Sequence, residues 1–186
     1  MRGEAARQGN RVHAAEGLWV FGYGSLMWRP GFRFVERVPA RIAGLHRSLC
    51  VYSHVHRGTP ERPGLVLGLD RGGSCRGILF RVDAAHHDET LAYLREREQA
   101  TLVYREEWRR VRRLDGHPPV TALVYVVDRL HRQYAGALSR EALLEHVRQG
   151  VGISGPNPDY VTQTVEEMER QGIRDATLHW LASRCS

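Results

Sequence analysis

The sequence predicts an α+β fold, a small mixed β-barrel with peripheral helices. Apolar runs of strand length, bounded by Gly, Pro and Asp, recur through the first two thirds of the chain. Capped segments of helical period gather in the last third. Size and composition agree: 186 residues, 42% apolar and 26% charged, suit one globular domain and exclude disorder or a collagen-like chain. No internal repeat occurs at a solenoid or propeller period. The domain is expected over 18–186, after a polar, mobile leader over 1–17 that lacks the apolar middle of a secretory signal.

The first strand is read at Leu18–Phe21, where Trp and Val favour the extended state. It runs into Gly22-Tyr23-Gly24-Ser25. Two glycines flanking an aromatic let the backbone turn sharply and approach something small. Ser25 adds a hydroxyl, and the loop adds backbone N–H groups, a concavity suited to an anionic or carbonyl-bearing ligand. A glycine turn that binds nothing fits the same pattern. One or two strands follow between Phe32 and Ser53, with a break near Pro39 or Gly44. His54 to Pro63 reads as loop. Gly64–Leu69 and Cys75–Val82 read as a hairpin that turns at Asp70–Ser74.

Asp83 is expected to cap a helix running to Gln99. Its apolar positions are Leu91 and Leu94, and the same stripe continues onto Glu98. Glu98 is therefore a carboxylate on the buried edge of an amphipathic helix. Paired with Arg95 or Arg97 it would be structural; in a partly dry cleft its pKa would rise and it would be a better base. Thr101–Leu114 reads as a charged strand whose arginines suit a solvated sheet edge. Val120–Val127 is the most continuous apolar strand and is expected to be central. Then come a loop holding Tyr134 and Gly136, a helix from Ser139 to Arg148, and an extended glycine-rich connection over 150–158. Helices from Asp159 to Gln171 and Asp175 to Arg184 close the chain.

All 27 cationic residues are arginines, and the formal net charge is +6. The charge is spread along the chain, with one dense run at Arg109–Arg113. A nucleic-acid stripe would want exposed aromatics beside the cations, and only Trp108 is close. Diffuse charge serves solubility and gathers anionic small molecules. No apolar run approaches the ~20 residues that span a bilayer, so neither nucleic acid nor membrane is an expected partner. Cys50, Cys75 and Cys185 lie far apart and fit neither a disulfide framework nor a zinc site, which points to a reducing cytoplasm. His54 and His56 would share a face of an extended loop, but only Glu61 is near enough to add a ligand, so no metal is expected.

Five segments in order resemble the ChaC-type γ-glutamylcyclotransferase family: VFGYGSLMW from Val20, HRGTPERPGL from His56, GGSCRGILFRV from Gly72, YLREREQ from Tyr93, and GISGPNPDYV from Gly152. The resemblance runs from about Leu18 to the C-terminal helices. It implies a mixed barrel with peripheral helices, no cofactor, and cleavage of glutathione to 5-oxoproline and cysteinylglycine. It implies that Glu98, closing Y-L-x-x-R-E, is catalytic; this is the carboxylate that the helical stripe also picks out. It implies that Val20, Phe21, Gly22, Tyr23, Gly24 and Ser25 bind substrate. Tyr134 resembles a further family tyrosine, although Tyr-Ala-Gly-Ala stands here for Tyr-Leu-Gly-Pro. The expected partner is a small molecule, glutathione or another γ-glutamyl compound, with a monomer favoured. Two alternatives stand beside it: a cyclotransferase for other γ-glutamyl amines or amino acids, and a non-catalytic regulatory binding protein. The presence of Glu98 favours the enzyme.

Overall fold

The structure, a computed structural model, describes residues 17–98 and 102–185. Its strands are β1 (Leu18–Gly22), β2 (Glu36–Ser53), β3 (Gly64–Val82), β4 (Tyr104–Arg113), β5 (Val120–Val127), β6 (Val151–Gly152) and β7 (Gly155–Pro156). Its α-helices are α1 (His87–Glu98), α2 (Arg140–Gln149), α3 (Asn157–Arg170) and α4 (Ala176–Cys185). The first five strands close into a barrel in the order β1-β3-β2-β4-β5, the architecture the sequence predicts. β1 is antiparallel to β3, from Leu18 opposite Val82 to Gly22 opposite Ile78, and parallel to β5, with Val20 level with Leu123. Every β1 residue is buried, which is why its sequence is a continuous apolar run and not an alternation.

Closure corrects the reading of β4. The strand has the charge of a sheet edge, yet it lies between β2 and β5 and has no edge to protect. Three of its five arginines are met by acids: Arg105 and Arg109 pair with Glu107, and Arg113 with Glu36 and Asp115. Arg113 also lies 5.0 Å from the centre of the Trp19 ring.

The two longest strands give a second correction. β2 runs unbroken through Pro39 and Gly44, and β3 runs straight on through Asp70–Ser74, where a hairpin was expected. Gly72 and Gly73 do adopt positive φ, +104° and +63°, but they bend the strand without reversing it. Side chains of β2 hold that bend. His46 Nδ1 lies 3.1 Å from the Gly72 carbonyl, and Arg41 donates to Ser74 Oγ at 2.7 Å. Pro39 is exposed, and its carbonyl accepts from Leu114 N at 2.9 Å, so the ladder forgoes only a donor there.

The chain gathers into two compact units, residues up to 44 with 73–125, and 45–72 with 126 onward. In the first, Leu18, Val20, Leu26, Val82, Leu91, Leu94, Leu123 and Tyr125 form an apolar core. Asp83 caps a 3₁₀ turn, Ala84–His86, and its carboxylate accepts from Ala85 N at 2.9 Å; α1 follows at His87. In the second unit α2, α3 and α4 pack on one another. The 150–158 connection is not simply extended: β6 pairs with β7, and α3 begins at Asn157, ahead of the expected Asp159. Asn157 is fully buried, accepts from Leu65 N at 2.7 Å, and donates to Leu65 O at 2.8 Å. Tyr160 Oη accepts from Leu67 N at 3.1 Å. The leader expected over 1–17 lies, Gly17 apart, outside the described residues, as do the expected helix end Gln99 and strand start Thr101. Among the described residues no helix is long and apolar enough to cross a membrane.

Candidate active site

β1 delivers the glycine loop. Opposite its end stands Gly77 of β3, where a Cβ would come 2.3 Å from the Gly22 carbonyl and 2.7 Å from Phe21 Cζ. Only a bare backbone lets β3 lie this close. Past Gly22 the chain makes a 3₁₀ turn, Ser25–Met27. Met27 N donates to Gly24 O at 2.9 Å and Arg29 N to Ser25 O at 2.7 Å. The geometry of a first helical turn leaves the amides of Ser25 and Leu26 without an acceptor inside it. Val20 and Phe21 are wholly buried, so what they offer a ligand is main chain. Tyr23 is nearly buried, and Ser25 is half-buried.

Helix α1 delivers the carboxylate. Leu91 and Leu94 anchor its inner face in the core. Glu98 lies one turn beyond Leu94 on that face, with its side chain 17% exposed. Burial holds its carboxyl above the usual 4.5, and the Arg97 charge opposes that rise. The carboxyl is thus desolvated and paired at once: Arg97 Nε lies 3.2 Å from its Oε1. Arg95 is not its partner. That side chain grips Glu106 of β4 with two bonds of 2.9 Å.

Arg97 is the residue that the sequence reading undervalued. Its Nη2 donates to Ser25 Oγ at 3.0 Å. Its Nη1 donates to Arg29 O at 2.6 Å and to Tyr93 Oη at 2.9 Å. One guanidinium therefore touches both Ser25 of the loop and Glu98 of the helix. The signal in the sequence was its place beside the candidate base; nothing local marks the Arg29 carbonyl as its acceptor.

Tyr134 belongs to the second unit. Its hydroxyl donates to Asp70 Oδ2 at 2.8 Å, and Asp70 also accepts from Arg129 Nε at 2.7 Å and Arg71 N at 2.7 Å. Burial raises the Asp70 pKa, but these bonds outweigh it and hold the group below its ordinary value. Burial and the bond to Asp70 hold the Tyr134 phenol above its ordinary value. Asp70 escaped the sequence reading because it was assigned to a turn. Burial pushes the neighbouring Cys50 thiol up to about 12, which makes it inert. His54 stacks on Tyr52 at 6.3 Å, and His56 Nδ1 lies 2.9 Å from Ser154 Oγ. Among the described residues no three His, Cys, Asp or Glu side chains cluster to hold a cation.

The chain is similar to known proteins over most of its length. The family model for ChaC-like protein matches residues 18–185. The glutathione-specific gamma-glutamylcyclotransferase of Escherichia coli (strain K12) is 31% identical over 87% of this chain and 70% of that protein. Glutathione-specific gamma-glutamylcyclotransferase 1 of Danio rerio is 33% identical over 84% of this chain and 82% of its own. Among solved structures, the fold is similar to that of a yeast gamma-glutamyl cyclotransferase specific to glutathione. The TM-score is 0.81 at 22% identity, over 91% of this chain and 95% of that one.

Proposed function

The chain belongs to the ChaC-like family, and on that premise we propose that it is a glutathione-specific γ-glutamylcyclotransferase, a lyase that releases 5-oxoproline and cysteinylglycine. The single observation that carries the site assignment is the bridge Ser25–Arg97–Glu98, which sets a desolvated carboxylate against the glycine loop. The substrate's own α-amine is the nucleophile, already tethered to the γ-carbonyl it attacks. Ring closure to five members is intramolecular, so holding the right conformer supplies much of the acceleration. The amine must shed a proton as it attacks. Glu98, with its raised pKa, accepts that proton and then gives it to the departing amine. The Gly22–Ser25 loop takes the γ-glutamyl group, with the amides of Ser25 and Leu26 as donors. The free thiols of Cys50, Cys75 and Cys185 support a reducing, cytoplasmic setting.

The test is 5-oxoproline release from a panel of γ-glutamyl compounds, without added metal. Glutathione is expected to be the preferred substrate. Glu98→Gln is expected to lose at least about 10²-fold in kcat, the scale of a general base, while still binding 5-oxoproline. A wild-type protein that releases no 5-oxoproline from any γ-glutamyl compound overturns the enzyme reading. A fully active Glu98→Gln overturns only the choice of base.

A further inference from the structure

Three side-chain atoms among the described residues are sealed from solvent without a hydrogen-bond partner: His87 Nε2, Thr164 Oγ1 and Tyr125 Oη. An unpaired buried donor forfeits its hydration, so its persistence needs a reason. Tyr125 has one in its position. It is 1% exposed and lies on β5, parallel to β1 with Leu123 level with Val20. Two residues further along each strand, Tyr125 comes level with Gly22, where β1 gives way to the glycine loop. Its neighbours in the core include Leu26 from the turn of that loop and Leu91 and Leu94 from α1. Leu94 stands one helical turn before Glu98. Tyr125 is thus the member of that cluster with a polar tip, set between the loop and the helix that carries the base.

We propose that the Tyr125 hydroxyl is a catalytic hydrogen-bond donor to the γ-carbonyl oxygen of the substrate as that oxygen becomes an oxyanion. The inference rests on the cyclotransferase reading above. Such a donor is satisfied when a ligand brings an acceptor beside it, and a γ-glutamyl group brings oxygen at two places, its α-carboxylate and its γ-carbonyl. Burial, together with the carboxylates of Glu106 and Glu98, keeps the phenol protonated far above the working pH. Those same carboxylates repel a full negative charge, which disfavours the α-carboxylate as the group seated there. The γ-carbonyl enters neutral and gains charge only as the amine attacks, so a fixed, dry, neutral donor is matched to its transition state. In the step itself the amine nitrogen bonds to the γ-carbon while Glu98 takes the amine proton. The carbonyl π pair moves onto oxygen, where the Tyr125 O–H holds it. The pair then returns, the bond to the departing amine breaks, and Glu98 protonates that amine. Tyr125 keeps its proton throughout.

Tyr125→Phe removes only the oxygen. The expected result is a fall in kcat of about 10²–10³-fold, the cost of one oxyanion donor, with KM changed less than about threefold. The melting temperature of the ligand-free protein is expected to hold or rise, because an unpaired hydroxyl has left an apolar site. A structural role would give the opposite pattern, a lowered melting temperature with kcat kept. Either unchanged kcat, or loss of activity that follows a lowered melting temperature, overturns the proposal. An active wild type beside a fully active Tyr125→Phe sinks this inference alone, whereas an inactive wild type sinks the cyclotransferase reading instead.

Discussion

Arg97 ties Ser25 of the glycine loop to Glu98 of α1 in the candidate site, and its substitution separates charge from geometry. Its charge lowers the pKa that burial raises at Glu98. Arg97→Ala removes that opposition, so the Glu98 pKa climbs further. The acid limb of the kcat/KM profile is expected to move to higher pH by up to about one unit. Arg97→Lys keeps the charge but not the planar fork that reaches Ser25, Arg29 O and Tyr93 together. It is expected to leave the acid limb in place while KM rises. Superimposable profiles for wild type and Arg97→Ala would sink the coupling. Linkage gives the stability side. The folded-state pKa of Glu98 lies above the unfolded one, so ionisation destabilises the native state as pH rises through the window above 4.5. Glu98→Gln removes that charge and is expected to melt no lower than wild type at neutral pH. The inward position of Glu98 was legible in the sequence because a helix repeats its face every three or four residues. Arg97 was not, because its acceptors Arg29 O and Pro30 O lie 68 and 67 residues away.

At the level of elements, the misreadings have one cause: turn chemistry and strand charge are local, and a barrel is not. Gly72-Gly73 carries the same positive φ in a kink as in a hairpin, and only pairing across β2 and β3 decides whether the strand reverses. An arginine-rich strand looks like an edge until closure supplies neighbours on both sides. The C-terminal motif was recognised as a pattern, whereas its physical work is visible only in the fold. Asn157 at the start of α3 acts as a two-bond clamp on the backbone of Leu65. Asn157→Ala strands a buried N–H and a buried C=O at once. A loss of about 2–4 kcal/mol is expected in urea unfolding, from one to three for each orphaned group less partial recovery by water. Turnover per folded molecule is expected to survive. A loss under about 0.5 kcal/mol would mean that the strand holds its place without the clamp.

Over the whole molecule the α+β class was readable from order alone, strands first and helices after, because each element buries its own apolar pattern. The closing register was not, because it depends on pairings such as Val20 with Leu123 that span the chain. The net charge of +6 can now be placed. Many arginines are answered locally: Arg95 by Glu106, Arg129 by Asp70, and Arg170 by Glu166 and Glu167. Others lie over rings, Arg57 over Tyr160 and both Arg140 and Arg184 over Trp180. The formal charge of +6 still leaves cations in excess, and their spread along the sequence is that of a diffuse positive field. Such a field gathers an anionic peptide and is screened by salt. KM for glutathione is therefore expected to rise roughly two- to threefold between about 20 mM and 0.5 M sodium chloride, with kcat unchanged. A single-stranded oligonucleotide followed by fluorescence anisotropy is expected to show no saturable binding at physiological salt. A KM indifferent to salt would deny the field any part in substrate capture. Tight oligonucleotide binding with a steep log–log salt slope would mean that the arginines form a nucleic-acid surface after all.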